Sequence, residues 1–278
     1  IIMSPVYYPF RDAIINNERM LVESPLIRTK EGYEIDYADF EQKIQKNDVK
    51  LFIFCSPHNP VGRVWTAKEI KKVLDICKRH HVYVLADEIH QDIVMSEYRK
   101  ITAATTGDYD DILVTLTAAT KTFNLAGLIG SYHIIYNSYL RDRVCMEGKM
   151  THYNSMNVLS MHALIAAYSK EGMEWVDELR TVLDTNISYA MEFIRREFPG
   201  VSVSRPQGTY MLFLDCTDWC EAHHQTIEEL QRAGVEVGVI WQDGRPFHGA
   251  CHIRMNLALP HSRVKEAFER LKQYVFLD

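Results

Sequence analysis

Four short strings in the first half of the chain hold residue types that can do chemistry together. Lys121 lies in Thr117-Ala118-Ala119-Thr120-Lys121-Thr122-Phe123-Asn124-Leu125-Ala126-Gly127, and Asp87 and His90 lie in Asp87-Glu88-Ile89-His90. Asn59 lies in Ser56-Pro57-His58-Asn59-Pro60-Val61-Gly62, and Tyr7 in Ser4-Pro5-Val6-Tyr7-Tyr8. A lysine amine can form a Schiff base with an aldehyde. A carboxylate can keep a heteroaromatic nitrogen protonated, an amide and an imidazole can bond a ring hydroxyl, and a tyrosine ring can stack on an aromatic face. Small hydroxyl residues near the lysine can hold a phosphate. Each residue alone has an ordinary reading. A loop lysine is usually solvated, Asn-Pro is a turn dipeptide, an aspartate after a strand often only caps a helix, and a tyrosine between prolines packs. Their order and their common placement set them apart.

That placement comes from the elements around them. Leu51–Cys55, Val82–Ala86 and Ile112–Leu116 are apolar runs of strand length, and the strings of Asn59, Asp87 and Lys121 follow them directly. Between the first two runs, Thr66-Ala67-Lys68-Glu69 has the capping-box pattern, and Ile70, Val73, Leu74 and Cys77 continue at helical spacing to the cationic end Lys78-Arg79-His80-His81. A strand, a helix and a strand in this order make a βαβ unit, hence a sheet that is largely parallel and buried on both faces. In such sheets ligands sit beyond the carboxyl ends of the strands. Leu128–Tyr136 reads as a further strand. Asn157–Lys170, apolar with small residues, reads as a buried helix, and Met173–Phe198 as a long amphipathic connector ending at Pro199-Gly200. The remainder mixes strands (Tyr210–Leu214, Val235–Trp241, Cys251–Leu257) with helices (Thr226–Ala233, Ser262–Tyr274), an α+β pattern. The expected division is a large domain over 1–165, then a connector helix and small domain over 166–278.

Composition narrows the function classes. The 278 residues are 47% hydrophobic and 24% charged, which is globular and not disordered. A net charge of −6 argues against a nucleic-acid binder. No apolar run approaches the roughly 20 residues of a membrane span. The six cysteines form no Cys-x-x-Cys pair and no zinc pattern, so no metal site is expected, and free thiols in a reducing, cytoplasmic setting are. The chain opens on Ile-Ile-Met-Ser-Pro, read as the end of a buried strand and a start inside a domain.

Together the lysine, aspartate, asparagine and tyrosine on one rim suit pyridoxal phosphate (PLP). The sequence resembles fold-type I PLP enzymes of the class I/II aminotransferase family, and within it the branch of cystathionine β-lyases. The resemblance is carried by Pro5-Val6-Tyr7-Tyr8-Pro9-Phe10, Ser56-Pro57-His58-Asn59-Pro60-Val61-Gly62-Arg63-Val64-Trp65, Asp87-Glu88-Ile89-His90, Thr120-Lys121-Thr122-Phe123-Asn124-Leu125-Ala126-Gly127-Leu128 and Ile253-Arg254-Met255-Asn256-Leu257-Ala258. It implies the aspartate aminotransferase fold, an α/β architecture with a mostly parallel central sheet and a smaller α+β domain. It also implies that Lys121 bears the Schiff base and moves the substrate α-proton. Asp87 would pair with the pyridine nitrogen, Asn59 with the ring hydroxyl, and Tyr7 would stack on the ring. His90 stands where aminotransferases place a tyrosine. Arg254 would clamp the substrate carboxylate, for which a planar fork is suited. The serine usual three residues before the lysine is Ala118 here, so Thr117 and Thr120 are the phosphate candidates. The family's opening segment, with its glycine-rich phosphate loop and an aromatic that reaches the neighbouring subunit, does not appear in this sequence.

The expected activity is C–S β-lysis of cystathionine or a cysteine-type thioether to a thiol, pyruvate and ammonia, in a homodimer. The same residues would serve an aminotransferase. A third expectation is an inert fragment or a regulatory protein that works by binding a partner.

Overall fold

The computed structural model describes residues 1–153 and 155–277. In chain order the elements are α1 (Pro9–Asn16), β1 (Ile27–Arg28), β2 (Tyr33–Glu34), α2 (Tyr37–Lys46), β3 (Leu51–Cys55), α3 (Ala67–Arg79), β4 (Tyr83–Asp87), β5 (Leu113–Thr117) and β6 (Tyr132–Ile134). They continue as α4 (Ser138–Met150), α5 (Val158–Ala167), α6 (Lys170–Glu197), β7 (Met211–Asp215), α7 (Thr217–Ala222), α8 (Ile227–Glu236), β8 (Gln242–Asp243), β9 (His252–Asn256) and α9 (His261–Tyr274).

The central sheet has the order β3-β4-β5-β6, with the first three strands parallel and β6 antiparallel at the edge. Cys55 is the register partner of Asp87, and Asp87 of Leu116, so the three parallel strands end level. The opening residues run beside β3, Ile1 O accepting from Ile53 N at 3.1 Å. Helix α3 begins where the sequence places it. Thr66 Oγ1 accepts from Glu69 N, and Glu69 Oε2 accepts from Thr66 N at 2.8 Å. The helix buries Ile70, Val73, Leu74, Ile76 and Cys77 against the sheet, in one core with Phe40, Phe52, Phe54 and Trp65.

A second sheet, β7-β9-β8, is antiparallel. Helices α6 and α9 cover it, and Leu183, Phe193, Phe198, Trp219 and Phe268 fill its core. The two cores exchange residues. Phe213 and Phe247 belong to the first, and Ile93 and Met95 to the second.

Three expectations are corrected. Val235–Trp241 is not a strand: α8 runs through Glu236, and β8 holds only Gln242 and Asp243. Trp241 folds back, its Nε1 donating to Gln231 O at 3.1 Å, so its ring packs on the helix instead of joining a ladder. Leu128–Tyr136 shrinks to Tyr132–Ile134, because Leu125–Leu128 closes a tight turn and Ile129 takes a left-handed conformation with φ 50°. The helix expected over 157–170 ends at Ala167, and it is not buried: Val158, Leu159, Met161 and Ile165 are exposed. Ser169 caps α6 instead, accepting from Gly172 N at 3.1 Å. Gly172 allows the two helices to meet, since a Cβ there would lie 2.0 Å from Ala167 O.

Among the described residues no helix is long and apolar enough to cross a membrane. The capping box gives the first prediction: Thr66→Ala lowers unfolding stability by about 1 kcal/mol, read from the denaturant midpoint at unchanged slope.

Candidate active site

The loops that leave β3, β4 and β5 at their level carboxyl ends meet strand β9 of the second sheet around one cavity of about 450 Å³. Tyr7, Asn59, Asp87, His90, Thr120, Lys121 and Arg254 line it. Of the residues singled out in the sequence, only Thr117 is absent from the wall. It is buried at the end of β5, where its hydroxyl accepts from Gln91 Nε2 at 2.8 Å. The volume is that of an ordinary small-molecule site.

Asn59 owes its place to a tightly bonded loop. His58 N donates to Arg63 O and Gly62 N to His58 O, at 2.8 and 2.7 Å. Gly62 has φ 73°, and a Cβ there would sit 2.5 Å from Pro206 Cβ. Trp65 Nε1 donates to Cys55 O at 3.0 Å and ties the far end of the loop to β3. His58 Nε2 donates to Pro5 O at 2.9 Å and fixes the loop that carries Tyr7.

Asp87 is the last residue of β4. Its Oδ1 accepts from Ile89 N at 3.1 Å. Burial pushes its carboxyl above the usual range, and only that hydrogen bond and the charge of Lys121 oppose the shift. No described cationic side chain forms an ion pair with it. A protonated ring nitrogen would supply the missing partner. His90 is 3% exposed, and its Nδ1 has no hydrogen-bond partner among the described residues. Burial, with the charges of Lys121 and Arg254 adding to it, holds its pKa down at about 3, so the ring is neutral. Its edge packs on Tyr210, with ring centroids 5.7 Å apart.

Arg254 reaches the cavity from β9. Its Nη1 donates to Asn59 Oδ1 at 3.1 Å, its Nη2 donates to Gln242 Oε1, and its guanidinium lies 4.4 Å from the centre of the Phe247 ring. Both hydrogen-bond partners are neutral amides, so the positive charge is not neutralised within the site. A carboxylate ligand would form stronger, charge-assisted bonds to the same fork.

Reading the sequence did not bring out Tyr8, Cys55, Met211, Ser131 or Gln242, which also line the cavity. Gln242 is the register partner of Arg254 across β8 and β9. No local pattern announces it, because β8 is two residues long. Tyr8 stood beside Tyr7 in the quoted string and packs its ring on Phe247 at 5.2 Å.

These residues fit pyridoxal phosphate by the chemistry they leave unmatched: a desolvated carboxylate without a cation and a buried imidazole nitrogen without a partner, with an amine and a hydroxyl lining the same cavity. The family model for aminotransferase class I and II matches residues 1–271. The chain belongs to that family. Within it, the chain is 33% identical over 276 residues to cystathionine beta-lyase PatB of Bacillus subtilis (strain 168), covering 98% of this chain and 70% of the relative. It is 33% identical over 272 residues to protein MalY of Escherichia coli (strain K12), covering 96% and 67%. The crystal structure of the PLP-bound C-S lyase from Staphylococcus hominis superposes with a TM-score of 0.91 at 32% identity, over 100% of this chain and 70% of that one. The family's fold is therefore the α/β architecture that the sequence implied.

The neutral state of His90 can be tested without a ligand. Its folded pKa of about 3 lies below the ordinary value near 6.5, so its contribution to stability is present above pH 6.5 and is lost as pH falls toward 3. Between pH 6.5 and 4.5, the cofactor-free protein should lose about 1–2 kcal/mol more unfolding stability than His90→Gln. Equal losses in urea titrations of the two proteins would contradict the assignment.

Proposed function

We propose that this chain carries the catalytic core of a PLP-dependent C–S β-lyase. Its substrate is an amino acid with a sulfur substituent on the β-carbon, such as cystathionine or another cysteine-type thioether. With water it yields a thiol, pyruvate and ammonia. One observation carries the reading: an amine, a carboxylate without a cation and a guanidinium with only neutral partners share the wall of one cavity. The names of the PatB relative at 33% identity and of the C-S lyase structure at 32% support the lyase reaction over others of the family.

Bound PLP supplies an aldehyde that captures an amine and a pyridinium ring that draws electrons from the substrate α-carbon. Asp87 would hold the ring N–H, Asn59 the ring hydroxyl, and Tyr7 a face of the ring. Thr120 lines the cavity and would hold the phosphate, while Thr117 is off the wall and engaged by Gln91. Arg254 orients the substrate through its α-carboxylate. Lys121 Nζ would take the proton from the α-carbon, in the cavity it shares with Asp87, whose charge it feels. His90 is neutral, so it offers a polar edge without adding a third positive charge beside Lys121 and Arg254.

The assembly is proposed as a homodimer. On α5 the large apolar side chains Val158, Leu159, Met161 and Ile165 are exposed, and Tyr153 and Met150 before it are exposed as well. A surface of that kind is usually covered by a partner. We take the large domain to end where α5 gives way to α6, near the expected boundary at 165. Six free thiols support a reducing, cytoplasmic setting.

The holoenzyme should release pyruvate from L-cystathionine with no keto acid added, and Lys121→Ala should reduce the rate by about 10²–10⁴-fold. Consumption of L-cystathionine that requires an added keto acid, aminates that acid and leaves the C–S bond intact, with no pyruvate or thiol released, would replace the lyase by an aminotransferase. Arg254→Lys should raise KM by roughly 10–100-fold, the loss of a bidentate bond to a carboxylate. Leu159→Arg should shift the particle mass from two chains to one in light scattering.

A further inference from the structure

The loop that carries Lys121 has no regular structure. Between β5 and the short 3-10 turn Ala126–Leu128 it consists of turns closed by Phe123 N to Ala119 O and Leu125 N to Thr120 O, both 2.9 Å. Its place must come from side chains. Two consecutive residues of the turn after β4, just beyond His90, provide the ties. Gln91 Nε2 donates to Thr117 Oγ1 at 2.8 Å, and Asp92 Oδ2 accepts from Thr122 Oγ1 at 3.2 Å. The bonds fall on either side of Lys121, four residues before it and one after it.

Asp92 is 3% exposed and has a partner for each polar atom of its side chain. Its Oδ1 accepts from Lys100 Nζ at 3.2 Å, and its Oδ2 also accepts from the Tyr168 hydroxyl at 3.0 Å. Its backbone carbonyl accepts from Arg180 Nε at 2.9 Å. Tyr168 in turn packs edge-on against Phe123 at 5.8 Å, and Trp175 stacks on the same ring at 5.6 Å. One buried carboxylate thus joins the turn of His90, the loop of Lys121 and the junction of α5 with α6. Bonds to an ionised acceptor are the stronger kind, and a satisfied buried network fixes a single arrangement.

We propose that Asp92 is a positioning residue for Lys121, acting through Thr122. The inference rests on Lys121 as the reacting amine. Asp92 does not line the cavity. It sets where the amine stands relative to Asp87, to which Asp92 is joined by four intervening residues of the same turn. Misplacement of a reacting group by about 1 Å can cost on the order of 10²-fold in rate.

The test uses Thr122→Val, which keeps the shape and removes the hydroxyl, and Thr122→Ser, which restores it. In the holoenzyme Thr122→Val should lower kcat by about 10–100-fold with KM changed less than about twofold, and Thr122→Ser should recover kcat. Asp92→Asn should lower kcat similarly, and Asp92→Asn combined with Thr122→Val should fall no further. In the cofactor-free chain, Thr122→Val should speed amide exchange within 118–128 while β3 and β4 keep theirs. The exchange readout stands even if no lyase activity is found, so failure of the function and failure of the positioning role are separable. Wild-type kcat or wild-type loop exchange in Thr122→Val would overturn the proposal. So would a loss that serine does not recover, or an exchange increase spread over the whole sheet.

Discussion

Everything at the site depends on three parallel strands ending at the same height. Cys55, Asp87 and Leu116 are neighbours across the ladder, and the backbone continues the pairing one step further, Ser56 N to Asp87 O and Glu88 N to Leu116 O at 2.9 Å each. A parallel ladder leaves its chain ends on one rim, and the connections must return behind the sheet. Asn59, Asp87 and Lys121 are therefore delivered to one place by backbone hydrogen bonds. A one-residue slip of β4 would turn Asp87 to the other face of the sheet.

The rim is also where charges are left without internal partners. Elsewhere several buried or half-buried ions pair locally: Arg63 with Glu69, Arg205 with Asp184, Asp92 with Lys100. At the cavity, Asp87 has only a backbone N–H and Arg254 only amide oxygens. Desolvation raises the energy of such groups, and a ligand of complementary charge lowers it. The proposed guest would meet both needs, with a cationic ring edge for Asp87 and a carboxylate for Arg254. Arg254 comes from the second sheet, so the cavity exists only where the two cores meet, and Phe213 and Phe247 bind that second sheet into the first core.

What could be read from the sequence was what local rules govern. The apolar runs of β3, β4 and β5 and the capping box of α3 are set within a few residues, and they place the loops of Asn59, Asp87 and Lys121. Arg254 came from a resemblance to a family and not from spacing, since its contact with Asn59 spans 195 residues. Gln91 and Asp92 stayed hidden for the same reason: their partners Thr117 and Thr122 lie 26 and 30 residues further along the chain. Local patterns also misled where tertiary packing won. Val235–Trp241 has the β-branched content of a strand, yet Trp241 lies against Gly234, whose missing side chain makes room for the ring. Helix α5 read as buried because its residues are apolar, but composition alone does not say whether such a helix lies in the chain's own core.

The central claim is that Lys121 is a reacting amine held opposite Asp87. The most direct measurement is to incubate the protein with PLP, reduce it with borohydride, and locate the added pyridoxyl mass by peptide mapping. The account predicts one adduct per chain, on the peptide containing Lys121, and its loss in Asp87→Ala at the same PLP concentration. Adducts spread over surface lysines, or a folded protein with Lys121 unmodified, would contradict it.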